Sequence, residues 1–169
     1  MTGMLAVLFT LQAAVQDPFL VRVDLQALYD QISGMTLSFE QPADVDVLQA
    51  VLYTSDYTLV DENGRHWSRI ELRDESIRVF QQSPVDWMAQ AIRKVSLTAD
   101  GARALVDTTI ARKVTDTEGR FGPQGRTHTR TEVTRFQDEW IRTPSGWKLK
   151  ARQQAGAAKV FVDRPLTWP

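Results

Sequence analysis

Asp138 is the residue of this 169-residue chain that most invites a chemical reading. It opens the stretch DEWIRTPSGWKLKARQQ, and strand alternation puts Phe136, Asp138 and Trp140 on one face, with Arg135, Gln137 and Glu139 on the other. The register of the hairpin follows from its TPSG turn. A four-residue loop on a type I turn, with Pro144 pre-set for its φ and Gly146 at positive φ, pairs Arg142 with Trp147. Working outward, Trp140 then faces Leu149, Asp138 faces Ala151 and Phe136 faces Gln153, while Glu139 meets Lys150 and Gln137 meets Arg152. Asp138 becomes the sole carboxylate on a face of Phe136, Trp140, Trp147, Leu149 and Ala151, where burial disfavours its charged form and makes it a candidate acid or base. The same place suits a structural carboxylate bonded to backbone or to a tryptophan N–H, and that role carries the greater weight. A three-residue loop with a bulge at Gly146 is the alternative register; it would separate the two tryptophans.

A second constellation lies one hairpin earlier. Ala102, Ala104, Val106, Thr108, Ile110, Arg112 and Val114 alternate into one apolar face interrupted by a single cation. If the loop containing GRFGPQG pairs Asp116 with His128, Arg112 lies opposite Glu132 and Val106 opposite Asp138. Arg112 and Glu132 are thereby candidates to hold an anionic or polar ligand at a pocket mouth, though an ordinary cross-strand ion pair carries the greater weight. His66, in GRHWSR, is a candidate acid or base beside Trp67, and at least as well an exposed strand residue. His66 and His128 are the only histidines, without H-x-x-x-H or facial-triad spacing, so no metal site is expected. No nucleotide-binding or nucleophile-elbow motif occurs, and no cofactor is expected.

The elements that must position these residues are legible in the apolar periodicity. Residues 17–40 place Leu25, Leu28, Ile32, Met35 and Phe39 at helical spacing, and ADVDVLQAVLY forms a second, shorter helix after Pro42. A short strand over residues 57–60 leads through Asn63-Gly64 into a hairpin, and RIELRDESIRVF forms a third helix burying Ile70, Ile77 and Phe80. From there the period is two. Four long strands are predicted over about 87–98, 102–115, 128–142 and 147–154, and the tail AKVFVDRPLTWP has enough apolar residues for a short edge strand. Trp87, Trp140 and Trp147 are expected in the core. The fold class is therefore α+β: three helices, then four long strands, in a curved sheet wrapped around the first helix.

Composition excludes several function classes. Cysteine is absent, which removes disulfides and thiol chemistry, and 20 basic against 21 acidic residues give a net charge of -1, so a nucleic-acid partner is not expected. Residues 1–16 hold an apolar run, 4–11, that is too short to span a bilayer but resembles a signal peptide, although no Lys or Arg precedes Arg22. A secreted or periplasmic location is one expectation and a cytoplasmic one the other. Residues 17–154 form a single domain, and 155–169 an irregular tail.

Two stretches, VLYTSDYTLVDENGR and WIRTPSGWKL, resemble the second helix with first strand and the final hairpin of the nuclear transport factor 2-like superfamily, including its SnoaL-like and ketosteroid-isomerase-like branches. The resemblance implies a cone: a strongly curved sheet around a long helix, a pocket at the wide end and frequent homodimerisation through the sheet. It also implies a site residue. Laid on the isomerase pattern LYADDATVEDP from Tyr53, the general base falls on Asp61; here Glu62 follows in place of proline, and that branch's oxyanion-hole tyrosine has no match. Opening the DENG turn is the structural role that Asp61 suits, and it carries the greater weight.

Three functions compete on this reading. The leading one is a pocket protein binding a small apolar or amphipathic molecule, with Tyr29, Tyr53, Phe136 and Trp140 as walls and Arg112, Glu132 and Gln153 as polar contacts. The second is a cofactor-independent isomerase, dehydratase or cyclase using Asp61, Asp138 or His66, which requires at least two of them on one cavity. The third is a dimerising association module.

Overall fold

The computed structural model describes residues 17–82, 85–116 and 128–162. The leader over residues 1–16, the GRFGPQG stretch and the last seven residues of the tail lie outside them. Helix α1 spans Pro18–Leu37. Pro18 pre-sets the first turn, and the Asp17 carboxylate accepts from the Phe19 N–H at 2.8 Å, so one orphan donor of the helix end is satisfied. Val21, Leu25, Tyr29 and Ile32 form its buried stripe. Helix α2, Pro42–Leu52, starts where Asp44 reaches back to the N–H groups of Glu40 and Gln41.

Strands β1 (Tyr53–Val60) and β2 (His66–Ser68) form the short hairpin, and α3 (Arg69–Gln82) follows. Four long strands come next: β3 (Val85–Leu97), β4 (Arg103–Asp116), β5 (His128–Thr143) and β6 (Gly146–Gln154). The tail does supply an edge piece, β7 (Lys159–Val162). The sheet order is β2-β1-β6-β5-β4-β3, with β7 on β5; only β1 and β6 run parallel. The sheet is open. Its last long strand, β3, is shielded by α1: Gln26 donates to the Gln90 carbonyl and accepts from the Ile92 N–H, and Arg22 donates to the Ile92 carbonyl. These side chains occupy backbone groups that an unpaired edge would offer to another strand.

The core lies between α1 and the sheet face that carries Ala104, Val106, Trp140, Trp147 and Leu149. Arg142 pairs with Trp147 and Trp140 with Leu149, as expected, but Thr143 also pairs with Gly146, at φ +109°, so only Pro144 and Ser145 are left in the loop instead of four residues. Beyond that the register slips. Lys150 is an extra residue opposite the Glu139–Trp140 step, so Glu139 meets Ala151, Asp138 meets Arg152, Gln137 meets Gln153 and Phe136 meets Gln154. The expected pairs Asp138–Ala151, Phe136–Gln153, Glu139–Lys150 and Gln137–Arg152 are therefore displaced by one, because a bulge inserts a residue that alternation cannot anticipate. Across β4 and β5 the expected register holds, with Arg112 opposite Glu132 and Val106 opposite Asp138. Two apolar residues expected inside are outside: Trp87 is 49% and Ile70 72% exposed.

Candidate functional site

A cavity of about 620 Å³ opens between the three helices and the sheet. Ile32 and Thr36 of α1, Leu48 of α2, Leu72, Val79 and Phe80 of α3, and Met88, Ile110 and Phe136 of the sheet give it a mostly apolar wall. Tyr53, Tyr57, Asp61, Arg112, Glu132, Arg152 and Gln154 bring polar groups to it.

Its floor is held by a buried network that begins at Asp138. Asp138 is 1% exposed and takes three hydrogen bonds: Arg152 Nε donates to Oδ1 at 2.7 Å, Arg152 Nη2 to Oδ2 at 2.8 Å, and the Tyr29 hydroxyl to Oδ2 at 2.6 Å. Trp140 Nε1 donates to the Tyr29 oxygen at 2.8 Å, and the two rings meet edge-on with centroids 5.3 Å apart. A carboxylate is an acceptor only, so a two-pronged guanidinium and a phenol match its lone pairs. Burial by itself would lower the pKa of Arg152, but the adjacent Asp138 charge and hydrogen bonds outweigh it and hold the guanidinium well above its ordinary value. Burial, and then the Asp138 charge, push the Tyr29 phenol well above its usual range. Asp138 is thus an anchor with its lone pairs engaged, and it is Arg152, not Asp138, that reaches the cavity wall.

The fork leaves Arg152 partly unspent. Nη2 reaches Gln90 Oε1 at 3.5 Å, the guanidinium lies 4.9 Å from the centre of the Phe136 ring, and Nη1 has no hydrogen-bond partner among the described residues. Tyr53 and Tyr57 stand on the same wall with their rings stacked 4.4 Å apart, and neither hydroxyl has a partner among the described residues. Burial raises the pKa of both phenols, only partly offset by Arg152, so both stay protonated.

Glu132 accepts from Arg112 Nε and from Arg130 Nε, each at 2.6 Å. Burial would raise its pKa; the two guanidinium groups outweigh burial and lower it. At the rim, Glu62 Oε2 accepts from Gln154 Nε2 at 2.9 Å and from the Ala158 N–H at 3.3 Å, fastening the β1–β2 turn to the segment before β7.

The expected site residues divide accordingly. Tyr53, Arg112, Glu132 and Phe136 line the cavity, whereas Tyr29 and Trp140, each 0% exposed, are packed into the core beneath it. Gln153 is exposed on the opposite face, and the bulge gives its place to Gln154. Of the acid–base candidates only Asp61 lines the cavity. Its Oδ1 accepts from the Asn63 and Arg65 N–H groups and its Oδ2 from Trp67 Nε1, all within 3.0 Å, so it also shapes the DENG turn. The Trp67 bond, followed by the backbone donors, lowers its pKa. His66 is exposed and away from the cavity. Sequence reasoning missed Arg152, assigned to the outer face by the unbulged register, and Tyr57, for which spacing alone gives no signal. No group of acidic residues and histidines among the described residues has a metal-binding arrangement.

No family model matches the chain, and no curated protein does. Solved structures do. A conserved protein from Planctomyces limnophilus superposes with a TM-score of 0.64 at 13% identity, over 85% of this chain and 99% of that one. An NTF2-like protein of unknown function from Prochlorococcus sp. NATL2A matches at 0.53 and 12% identity, over 79% and 92%. This chain has the nuclear transport factor 2-like fold. A type 2 hexachlorocyclohexane dehydrochlorinase shares the fold, with a TM-score of 0.61 and 12% identity over 89% of this chain and 94% of that one. The nuclear transport factor 2-like fold thus carries both enzymes and proteins of unassigned function, and the choice between them rests on the side chains of the site.

Two outcomes follow from these contacts. Tyr29→Phe strips a donor from Asp138 and an acceptor from Trp140, and urea unfolding should show a loss of about 1–3 kcal/mol; a loss near zero contradicts the network. Glu132 has a lower pKa folded than unfolded, so the folded state binds fewer protons. Its stabilisation is complete above the unfolded carboxyl pKa of about 4.3 and is lost as pH falls through the depressed folded value. The difference in melting temperature between the wild type and Glu132→Gln should therefore narrow below about pH 4; a gap constant from pH 7 to 3 would refute it.

Proposed function

We propose that this protein binds a small, predominantly apolar molecule in the cavity between its helices and the sheet. The observation that carries the reading is the cavity itself: about 620 Å³, walled largely by apolar side chains such as Leu48, Leu72, Val79, Phe80 and Phe136, with polar groups including Tyr53, Tyr57 and Arg152 among them. That combination, enough apolar surface to extract a ligand from water and few polar groups to orient it, is the general form of a small-molecule site. A homodimer through the outer face of the sheet belongs to the proposal, supported there by the 56% exposed Leu105; sedimentation at the monomer mass would remove it.

An acid–base enzyme is the second reading, favoured by the presence of Asp61 on the wall and by the dehydrochlorinase that shares the fold. It is the weaker one. Asp61 accepts three hydrogen bonds that lower its pKa and make it a poor base near neutral pH. Asp138 is sealed behind Arg152, and His66 lies outside, so the three candidates do not converge.

The test is a thermal-shift screen of small aliphatic and aromatic compounds against the wild type and against Ser76→Phe, which adds a ring to the α3 wall. A ligand present at a hundred times its Kd should stabilise the wild type by about 2.7 kcal/mol, and the filled variant should lose the shift. A compound that shifts both proteins equally, or a screen with no shift, contradicts the proposal.

A further inference from the structure

From the unsatisfied donors on the cavity wall, we infer that the ligand presents a carbonyl-type oxygen, a ketone or a carboxylate, to the free edge of Arg152 and to the hydroxyls of Tyr53 and Tyr57. The inference rests on the cavity-binding reading and adds the polar chemistry of the ligand. Arg152 is 7% and Tyr57 3% exposed, so both have left bulk water. Yet Arg152 Nη1 and both phenolic oxygens lack hydrogen-bond partners among the described residues, and none of the three is sealed into the protein as a buried orphan atom. Buried polar groups are normally paired, and a cluster of unpaired donors on one cavity wall marks a place where the partner comes from outside.

The chemistry of the three groups selects the partner. A guanidinium has donors only and does not deprotonate, which excludes a protonated amine or another cation from its free edge. The raised pKa values of Tyr53 and Tyr57 keep them as neutral hydroxyls that can donate. Asp138 fixes the orientation of Arg152 from behind by the two-pronged contact, and the Phe136 ring packs against the guanidinium. A ligand oxygen therefore meets donors that are already oriented, which avoids much of the ordering cost of binding. The Asp138 charge already neutralises Arg152, so a neutral carbonyl fits without a net charge, whereas a carboxylate would add a charge near a wall where Arg112 is already paired with Glu132.

The test uses four ten-carbon probes on the full chain: 2-decanone, decanoate, decylamine and decane, with affinities from calorimetry or, for decane, from thermal shift. The ketone or the carboxylate should bind at least ten-fold more tightly than decylamine, about one charge-assisted hydrogen bond in free energy, and whichever is tighter assigns the charge of the natural group. Tyr57→Phe should weaken that probe about ten-fold while leaving the melting temperature of the free protein unchanged or higher, because the hydroxyl has no internal partner to lose. Equal binding of the four probes, or unchanged probe affinity in Tyr57→Phe, overturns the inference while leaving the cavity reading intact. Binding of none of them overturns both.

Discussion

The Asp138–Arg152 contact is the interaction on which the interior of this protein turns. It joins β5 to β6, receives α1 through the Tyr29 hydroxyl, and through Tyr29 also orients Trp140, the largest fully buried side chain. Two charges withdrawn from water cost several kcal/mol each unless the geometry repays them, and here the fork and the phenol repay it. The contact has a directional consequence. By engaging Nε and Nη2, Asp138 leaves Nη1 without a hydrogen-bond partner among the described residues, on a side chain whose residue lines the cavity.

That contact depends on a single inserted residue. Without the bulge at Lys150, Arg152 would project to the outer face and Asp138 would face Ala151, a carboxyl group buried among apolar groups without its guanidinium partner. The bulge shifts the rest of β6 by one position, which exchanges Gln153 for Gln154 at the cavity and moves a cation inside. One local irregularity thus makes Asp138 a structural anchor and places Arg152, its partner, on the cavity wall.

Much of the fold is legible in the sequence because period and punctuation agree. The α1 stripe, Pro42 before α2 and the strand alternation of β4 each point to one assignment, and the TPSG turn fixes the Arg142–Trp147 and Trp140–Leu149 pairs. The Arg112–Glu132 and Val106–Asp138 pairs follow from the loop length between β4 and β5. The site is less legible, for a physical reason. A bulge leaves no mark in hydrophobic patterning, since Lys150 and Arg152 both read as solvated cations, and a one-residue slip moves every side chain beyond it to the other face. Trp87 and Ile70 mislead differently: alternation and helical spacing give a face, but not which faces the neighbouring elements leave uncovered.

The central claim, that Asp138 and Arg152 act as one buried unit, is tested most directly by a double-mutant cycle on unfolding free energy with Asp138→Ala, Arg152→Ala and the double variant. Each single variant strands the other charge, so each should cost about 3–5 kcal/mol, and the double variant should cost much less than their sum, with an interaction term of at least about 1 kcal/mol. Single-variant costs that add to within about 0.5 kcal/mol would show that the two side chains are independent and would contradict the anchoring role given to Asp138.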